Sequence, residues 1–140
     1  MAEIGNTLSF QEIRERLTPL FSEEGLELIV LFGSAGTATM HNKSDIDLAF
    51  LFDRPMEILS MTNKVIRLLH TNKVDVVDLR HASPLLKYAS VEKGRLIYER
   101  SPGVFNVFYS LSFRMYVDTR KLRDARAMGI KYFLEARGLV

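Results

Sequence analysis

Residues 31–52 read LFGSAGTATMHNKSDIDLAFLF. An apolar run ends at Phe32, Gly33-Ser34 and a polar loop follow, and a second apolar run opens with Asp45 and Asp47. A strand that only filled a core would not begin with two carboxylates, because a buried charge is costly unless something pairs with it. The partners that suit are metal ions. Side chains alternate along a strand, so Asp45 and Asp47 are expected on one face with Cα atoms about 6.5 to 7 Å apart, leaving Ile46, Leu48 and Phe50 for a core. Carboxylates so placed can hold or share Mg²⁺, which takes a few carboxylates, waters and substrate phosphates rather than an all-protein cage. Two ions about 3.5 to 4 Å apart would clamp the attacking and leaving oxygens of an in-line displacement at phosphorus.

Gly33-Ser34 follows a strand directly, where a small residue lets the backbone approach a ligand and N–H groups with a hydroxyl can hold phosphate oxygens. Ser44, just before the carboxylates, is a further candidate nucleotide contact, with a turn role competing. A third carboxylate should come from a neighbouring strand, and VDVVDL (74–79) offers Asp75 and Asp78. They lie on opposite faces of a regular strand, so at most one joins the site. Asp75 is the choice, since it lies inside the apolar run; Asp78 stays open as a strand-end residue.

Outward from this stretch, Ser9-Phe10-Gln11-Glu12 has the form of a capping box, and Ile13, Leu17, Leu20 and Phe21 follow at helical spacing to about Glu24, with Gly25 as the stop. Strands are expected at 26–32, 44–52, 74–79 and 95–99. A helix from Pro55 to His70 should bury Ile58, Leu59, Val65, Ile66 and Leu69. Ser83-Pro84 opens a helix that Gly94 ends, and Ser101-Pro102 opens a last segment, one long helix or two joined near Gly129. The order predicts an α/β (α+β) domain with a small mixed sheet flanked by helices, its first two strands antiparallel.

With 140 residues, 47% hydrophobic and 26% charged, the chain is expected to be a single domain, with core motifs at 26–99 and a helical segment at 101–137. No stretch approaches the roughly 20 apolar residues that span a bilayer. The start, MAEIGNTLSFQEIRERL, lacks signal-peptide features, so the expected compartment is the cytoplasm. Cysteine is absent, which leaves oxygen or imidazole ligands for any metal, and His41, His70 and His81 lack metal-ligand spacing. The formal charge is +2, but residues 114–137 carry seven basic against three acidic side chains. That basic stretch is read as a solvated helix face, with nucleic acid, a phosphate-bearing ligand or an acidic partner as the alternatives. The aromatic series Phe105, Phe108, Tyr109 and Phe113 is read as core, with a partner surface as its alternative.

Gly33-Ser34, ten intervening residues, Asp45-Ile46-Asp47-Leu48 and a later strand bearing Asp75 resemble the nucleotidyltransferase superfamily that includes DNA polymerase beta and the aminoglycoside nucleotidyltransferases. The short length and the segments Gly94-Arg95-Leu96-Ile97-Tyr98-Glu99-Arg100 and Tyr116-Val117-Asp118 are similar to the minimal nucleotidyltransferases, the MNT or MntA proteins. The resemblance implies a nucleotidyltransferase fold, ATP as substrate, two Mg²⁺ on Asp45, Asp47 and Asp75, and Gly33 with Ser34 on the triphosphate. It implies an antitoxin that transfers AMP to a tyrosine of a HEPN-domain ribonuclease toxin. Neutralisation by contact alone and transfer to a small molecule are the alternatives. Direct nucleic-acid or membrane binding is not expected; a homo- or hetero-oligomer is left open. One departure stands out: Ala35-Gly36-Thr37-Ala38 lacks the arginine that members commonly carry after the Gly-Ser, leaving Lys43 or a C-terminal arginine to face the phosphates.

Overall fold

Leu26–Phe32 and Ile46–Phe52 are nearly continuous apolar runs, the pattern of strands covered on both faces, and they form the central pair β1 and β2 of a four-stranded sheet. The computed structural model describes residues 8–33 and 45–139. The remaining strands are β3 (Val74–Asp78) and β4 (Arg95–Glu99), in the order β3-β2-β1-β4. β1 is antiparallel to β2 and to β4, while β2 and β3 are parallel. A parallel pair needs a crossover, supplied by the helix α2 (Ile58–Leu69).

Alternation along the strands divides the core into two layers. Ile29, Leu31, Leu48 and Phe50 face helices α1 (Phe10–Arg16) and α2, meeting Ile13 and Leu17 on one side and Met61, Val65 and Leu69 on the other. Val30 and Ala49 face the opposite way, with Leu79 and with Phe105 and Phe108 of α4 (Val104–Asp118). Helix α3 (Pro84–Glu92) packs on α4 and β1, and α5 (Arg120–Ala136) follows α4 after Thr119. Among the described residues, no helix is long and apolar enough to cross a membrane.

Several element bounds depart from the sequence expectation, each for a local reason. The capping box forms, with Ser9 Oγ accepting from the Glu12 N–H at 3.1 Å and Glu12 Oε1 from the Ser9 N–H at 3.0 Å. Yet α1 stops at Arg16 and the chain continues as 3₁₀ turns over Thr18–Ser22, because Pro19 lacks an N–H and its ring would clash with the carbonyl four residues back. α2 begins at Ile58, not Pro55, where the Glu57 carboxylate accepts from the Ser60 N–H at 2.9 Å. Its buried stripe is Met61, Val65 and Leu69, one residue per turn, whereas Ile58 and Leu59 are exposed. The last segment breaks at Thr119 rather than Gly129. Phe105 and Phe108 join the core as expected, while Phe113 is about half exposed.

Candidate active site

The parallel pairing of β2 and β3 brings two strand beginnings to the same end of the sheet. Ile46 N–H donates to the Lys73 carbonyl at 2.9 Å, and from there Ile46 pairs with Val74 and Asp47 with Asp75. Cross-strand partners share a face, so both carboxylates lie on the side of Ala49 and away from the α1/α2 core. Asp75 is exposed and Asp47 partly buried. Asp47 also stands opposite Phe32, the last residue of β1, with Gly33 next in the chain. Gly33 has φ +73°, a left-handed conformation, and a Cβ there would overlap Asp47 Oδ2. Glycine is what lets that carboxylate sit against the end of β1.

This placement perturbs Asp47. Its carboxyl is pushed up from 3.8 to about 6, first by loss of solvent, then by the negative charges of Asp75 and Asp45, and by hydrogen bonding with Asp75. Like charges held together resist ionisation until a cation joins them. Asp45 was expected inside the strand; it is instead an exposed residue just before β2, since the first ladder bond is made by Ile46. Its charge still reaches Asp47.

Asp78, the open alternative, faces elsewhere. It pairs with Phe50, accepts from the Arg80 N–H at 3.0 Å and contacts His81 Nδ1 at 2.9 Å, so it builds the turn that ends β3. Ser34, Lys43 and Ser44 lie outside the described residues. Among the described residues, no three carboxylate or imidazole side chains are already gathered closely enough to form a cation site unaided. A donor set of oxygens, hard and negatively charged and unfinished without further ligands, fits Mg²⁺, which keeps waters and phosphate oxygens in its shell.

Sequence reading missed one cation at this end of the sheet. Leu31 pairs with Arg95, which places the start of β4 beside the end of β1. Arg95 is committed to the other face, its guanidinium 3.8 Å over the Phe10 ring. Lys93, the C-cap of α3 two residues earlier, stands at the same end as Gly33 and is exposed. Only the antiparallel register of β1 and β4 reveals it. Arg123, one of the C-terminal arginines, is tied down locally, donating to Thr119 Oγ and to the Tyr116 carbonyl.

Residues 15–103 match the family model described as polymerase beta, nucleotidyltransferase. The chain is 25% identical over 126 residues to protein adenylyltransferase MntA of Aphanizomenon flos-aquae, covering 81% of this chain and 84% of that one. Its likeness to protein adenylyltransferase MntA of Shewanella oneidensis is 37% over 76 residues, 52% of this chain and 54% of that one. Among solved structures, a chain of a toxin–antitoxin crystal structure with AMP-PNP superposes with a TM-score of 0.74 at 28% identity, covering 89% of this chain and 99% of that one. A chain of the complex of tri-AMPylated Shewanella oneidensis HEPN toxin with MNT antitoxin superposes with a TM-score of 0.70 at 25% identity, covering 86% and 98%.

Proposed function

The chain belongs to the polymerase beta nucleotidyltransferase family, and on that footing we propose that it is an Mg²⁺-dependent protein adenylyltransferase. Its substrate is ATP and its acceptor a tyrosine hydroxyl of a HEPN-domain ribonuclease toxin, which it silences as an antitoxin. Support for the acceptor comes from the MntA relatives and from the AMPylated HEPN toxin complex, to which the chain is similar along most of its length. The single observation that carries the chemistry is the register pair Asp47 and Asp75, with Asp47 packed against Gly33.

In the reaction, the acceptor oxygen bonds to the α-phosphorus of ATP, the bond to the β-phosphate oxygen breaks, and pyrophosphate leaves with that electron pair. Asp45 and Asp47 would hold Mg²⁺, and Asp75 would complete the set. The bound ion would polarise the phosphoryl group and offset charge on the leaving oxygens. Asp75, the more exposed carboxylate, faces the arriving hydroxyl and takes its proton. Gly33 keeps the end of β1 close to Asp47, so that the backbone at Gly33 can face the triphosphate. Lys93 supplies the positive charge that the arginine-free segment after Ser34 lacks.

The test is the intact mass of the HEPN protein after incubation with this protein, ATP and Mg²⁺. A gain of one or more AMP units, lost in Asp47→Asn, is expected. A second reading, neutralisation by contact alone, draws on the missing arginine in Ala35-Gly36-Thr37-Ala38. An Asp45/Asp47 double variant that still neutralises the toxin would favour it.

A further inference from the structure

The loop that carries α2 into β3 ends on a cation beside the carboxylates. His70, the C-cap of α2, takes a left-handed φ of 59° and its N–H donates to the Ile66 carbonyl at 2.9 Å, which turns the chain back towards the sheet. The Lys73 N–H then donates to Thr71 Oγ at 3.2 Å, and the Lys73 carbonyl accepts from Ile46, the first residue of β2. Lys73 is thus pinned through both of its backbone polar groups. Val74, next in the chain, is buried in the α1/α2 layer, so Lys73 and Asp75 on either side of it turn to the opposite face, the face of Asp47. Their α-carbons are about 6.5 to 7 Å apart, a gap that the flexible stem of a lysine spans. Among the described residues Lys73 is exposed and in no ion pair, whereas Arg16 donates to the Leu69 carbonyl and Arg95 lies over Phe10.

Sheet order decides what this ammonium can meet. β2, with Asp47, lies between β1, with Gly33 at its end, and β3. Neighbouring strands are about 4.8 Å apart, so Gly33 and Asp75 flank Asp47 from opposite sides. An in-line displacement likewise sets the leaving and attacking oxygens on opposite sides of phosphorus. With the triphosphate on the Gly33 and Lys93 side, the attacking oxygen arrives on the β3 side, where Asp75 and Lys73 stand. A cation there is far from the leaving pyrophosphate and close to a hydroxyl that is losing its proton. Carboxylates alone would repel that oxygen as charge built up on it; an ammonium beside it offsets the charge.

We propose that Lys73 is a catalytic residue on the acceptor side: its ammonium donates a hydrogen bond to the attacking oxygen while Asp75 takes that oxygen's proton. The oxygen's electron pair forms the bond to the α-phosphorus, the bond to the β-phosphate oxygen breaks, and Lys73 keeps its own protons throughout. The nature of the acceptor, a tyrosine hydroxyl, rests on the functional reading above.

The experiment is steady-state AMP transfer to the HEPN protein by the full chain, with ATP and acceptor varied in turn, for wild type, Lys73→Met and Lys73→Arg. Lys73→Met keeps the length of the side chain without its charge. It should lower kcat about 100-fold, as removal of one donor to a developing oxyanion does, with the KM for ATP unchanged. Lys73→Arg, which keeps the charge, should recover most of that loss. Acceptor carrying a fluorinated tyrosine, whose phenol ionises more readily, should recover part of the loss in Lys73→Met and change wild type little. Both variants should keep the wild-type thermal midpoint, because the side chain is exposed. Wild-type kcat in Lys73→Met would overturn the proposal. So would a raised KM for ATP at unchanged kcat, which would move Lys73 to the phosphates. An equal loss in Lys73→Arg, with no recovery on the fluorinated acceptor, would leave only a structural role and overturn it too. A wild-type chain that transfers no AMP would overturn the functional reading and this inference together; transfer by wild type with indifferent Lys73 variants would remove this inference alone.

Discussion

The α-carbon of Gly33 faces the carboxylate of Asp47 so closely that no side chain fits between them. With φ at +73°, the position is also one that L-residues adopt at a cost. Gly33→Ala should lower AMP transfer by about 100-fold or more, because an ångström-scale displacement of a reacting group has effects of that order. Backbone strain adds a stability loss of about 1 kcal/mol. Transfer rates and thermal denaturation of the same preparation check both; an active Gly33→Ala protein would mean that Asp47 need not sit there.

Asp47 links pH to stability. Its carboxyl rises from 3.8 to about 6 on folding, so its contribution to stability is present in full below about 4 and is lost as pH climbs through 6. Metal-free wild type is therefore penalised at neutral pH. Asp47→Asn should be inactive yet more stable than wild type at pH 7.5, by about 1 kcal/mol after allowance for solvent screening, and the gap should close towards pH 4. Mg²⁺ should raise the melting temperature of wild type more than that of the variant. Melting curves at the two pH values, with and without Mg²⁺, decide the matter.

On the proposed mechanism, Asp75 serves the chemistry, while Asp78 builds the turn after β3. Asp75→Asn should cut transfer by about 10² to 10⁴, the usual range for a lost general base, with little change in stability because the side chain is exposed. Asp78→Asn should leave transfer near wild type while costing up to about 1 kcal/mol through its His81 and Arg80 contacts. Equal activity losses in the two variants would reject this division of labour.

Lys93→Ala should raise the KM for ATP several-fold with a smaller change in kcat, as expected for a cation that steadies the triphosphate in both ground and transition states. Steady-state kinetics at varied ATP would show it, and an unchanged KM would return the phosphates to Lys43.

Gly94→Ala tests the fold away from the carboxylates. A Cβ there would meet the Ser90 carbonyl and Val30, neither free to retreat from the packed junction of α3 and β1. Overpacking of this kind costs about 1 to 3 kcal/mol, which a chemical denaturation curve resolves.

The strands were legible because the β1 and β2 runs are apolar but for Glu27 and Asp47 and are flanked by Gly25, Gly33 and the turn after Phe52. Asp47 and Asp75 could be singled out as charges inside apolar runs, but their pairing could not. Parity excludes Asp75 and Asp78 from acting together, whereas choosing between them depends on the parallel register, which α2 and its packing set. Ile58 and Leu59 misled for a related reason: apolar residues at a helix start look like core until the direction of the helix over the sheet is known. Lys93 escaped notice because it enters through long-range pairing of β4. The basic, partly apolar character of α5 is written in its residues; that none of them is buried among the described elements is a property of the assembled fold.

The order of the strands bears on how the molecule forms. β1, β2 and β3 are successive strands with α2 between the last two, and Gly33 at the end of β1 joins Asp47 of β2 and Asp75 of β3. β4 must return to the far side of β1 after α2, β3 and α3 have been made, closing a much longer loop. Closure entropy favours the nearer pairings first. The candidate carboxylates thus belong to the part of the sheet that can assemble early during synthesis, with β4 and the helices after it closing the sheet over a pair already in register.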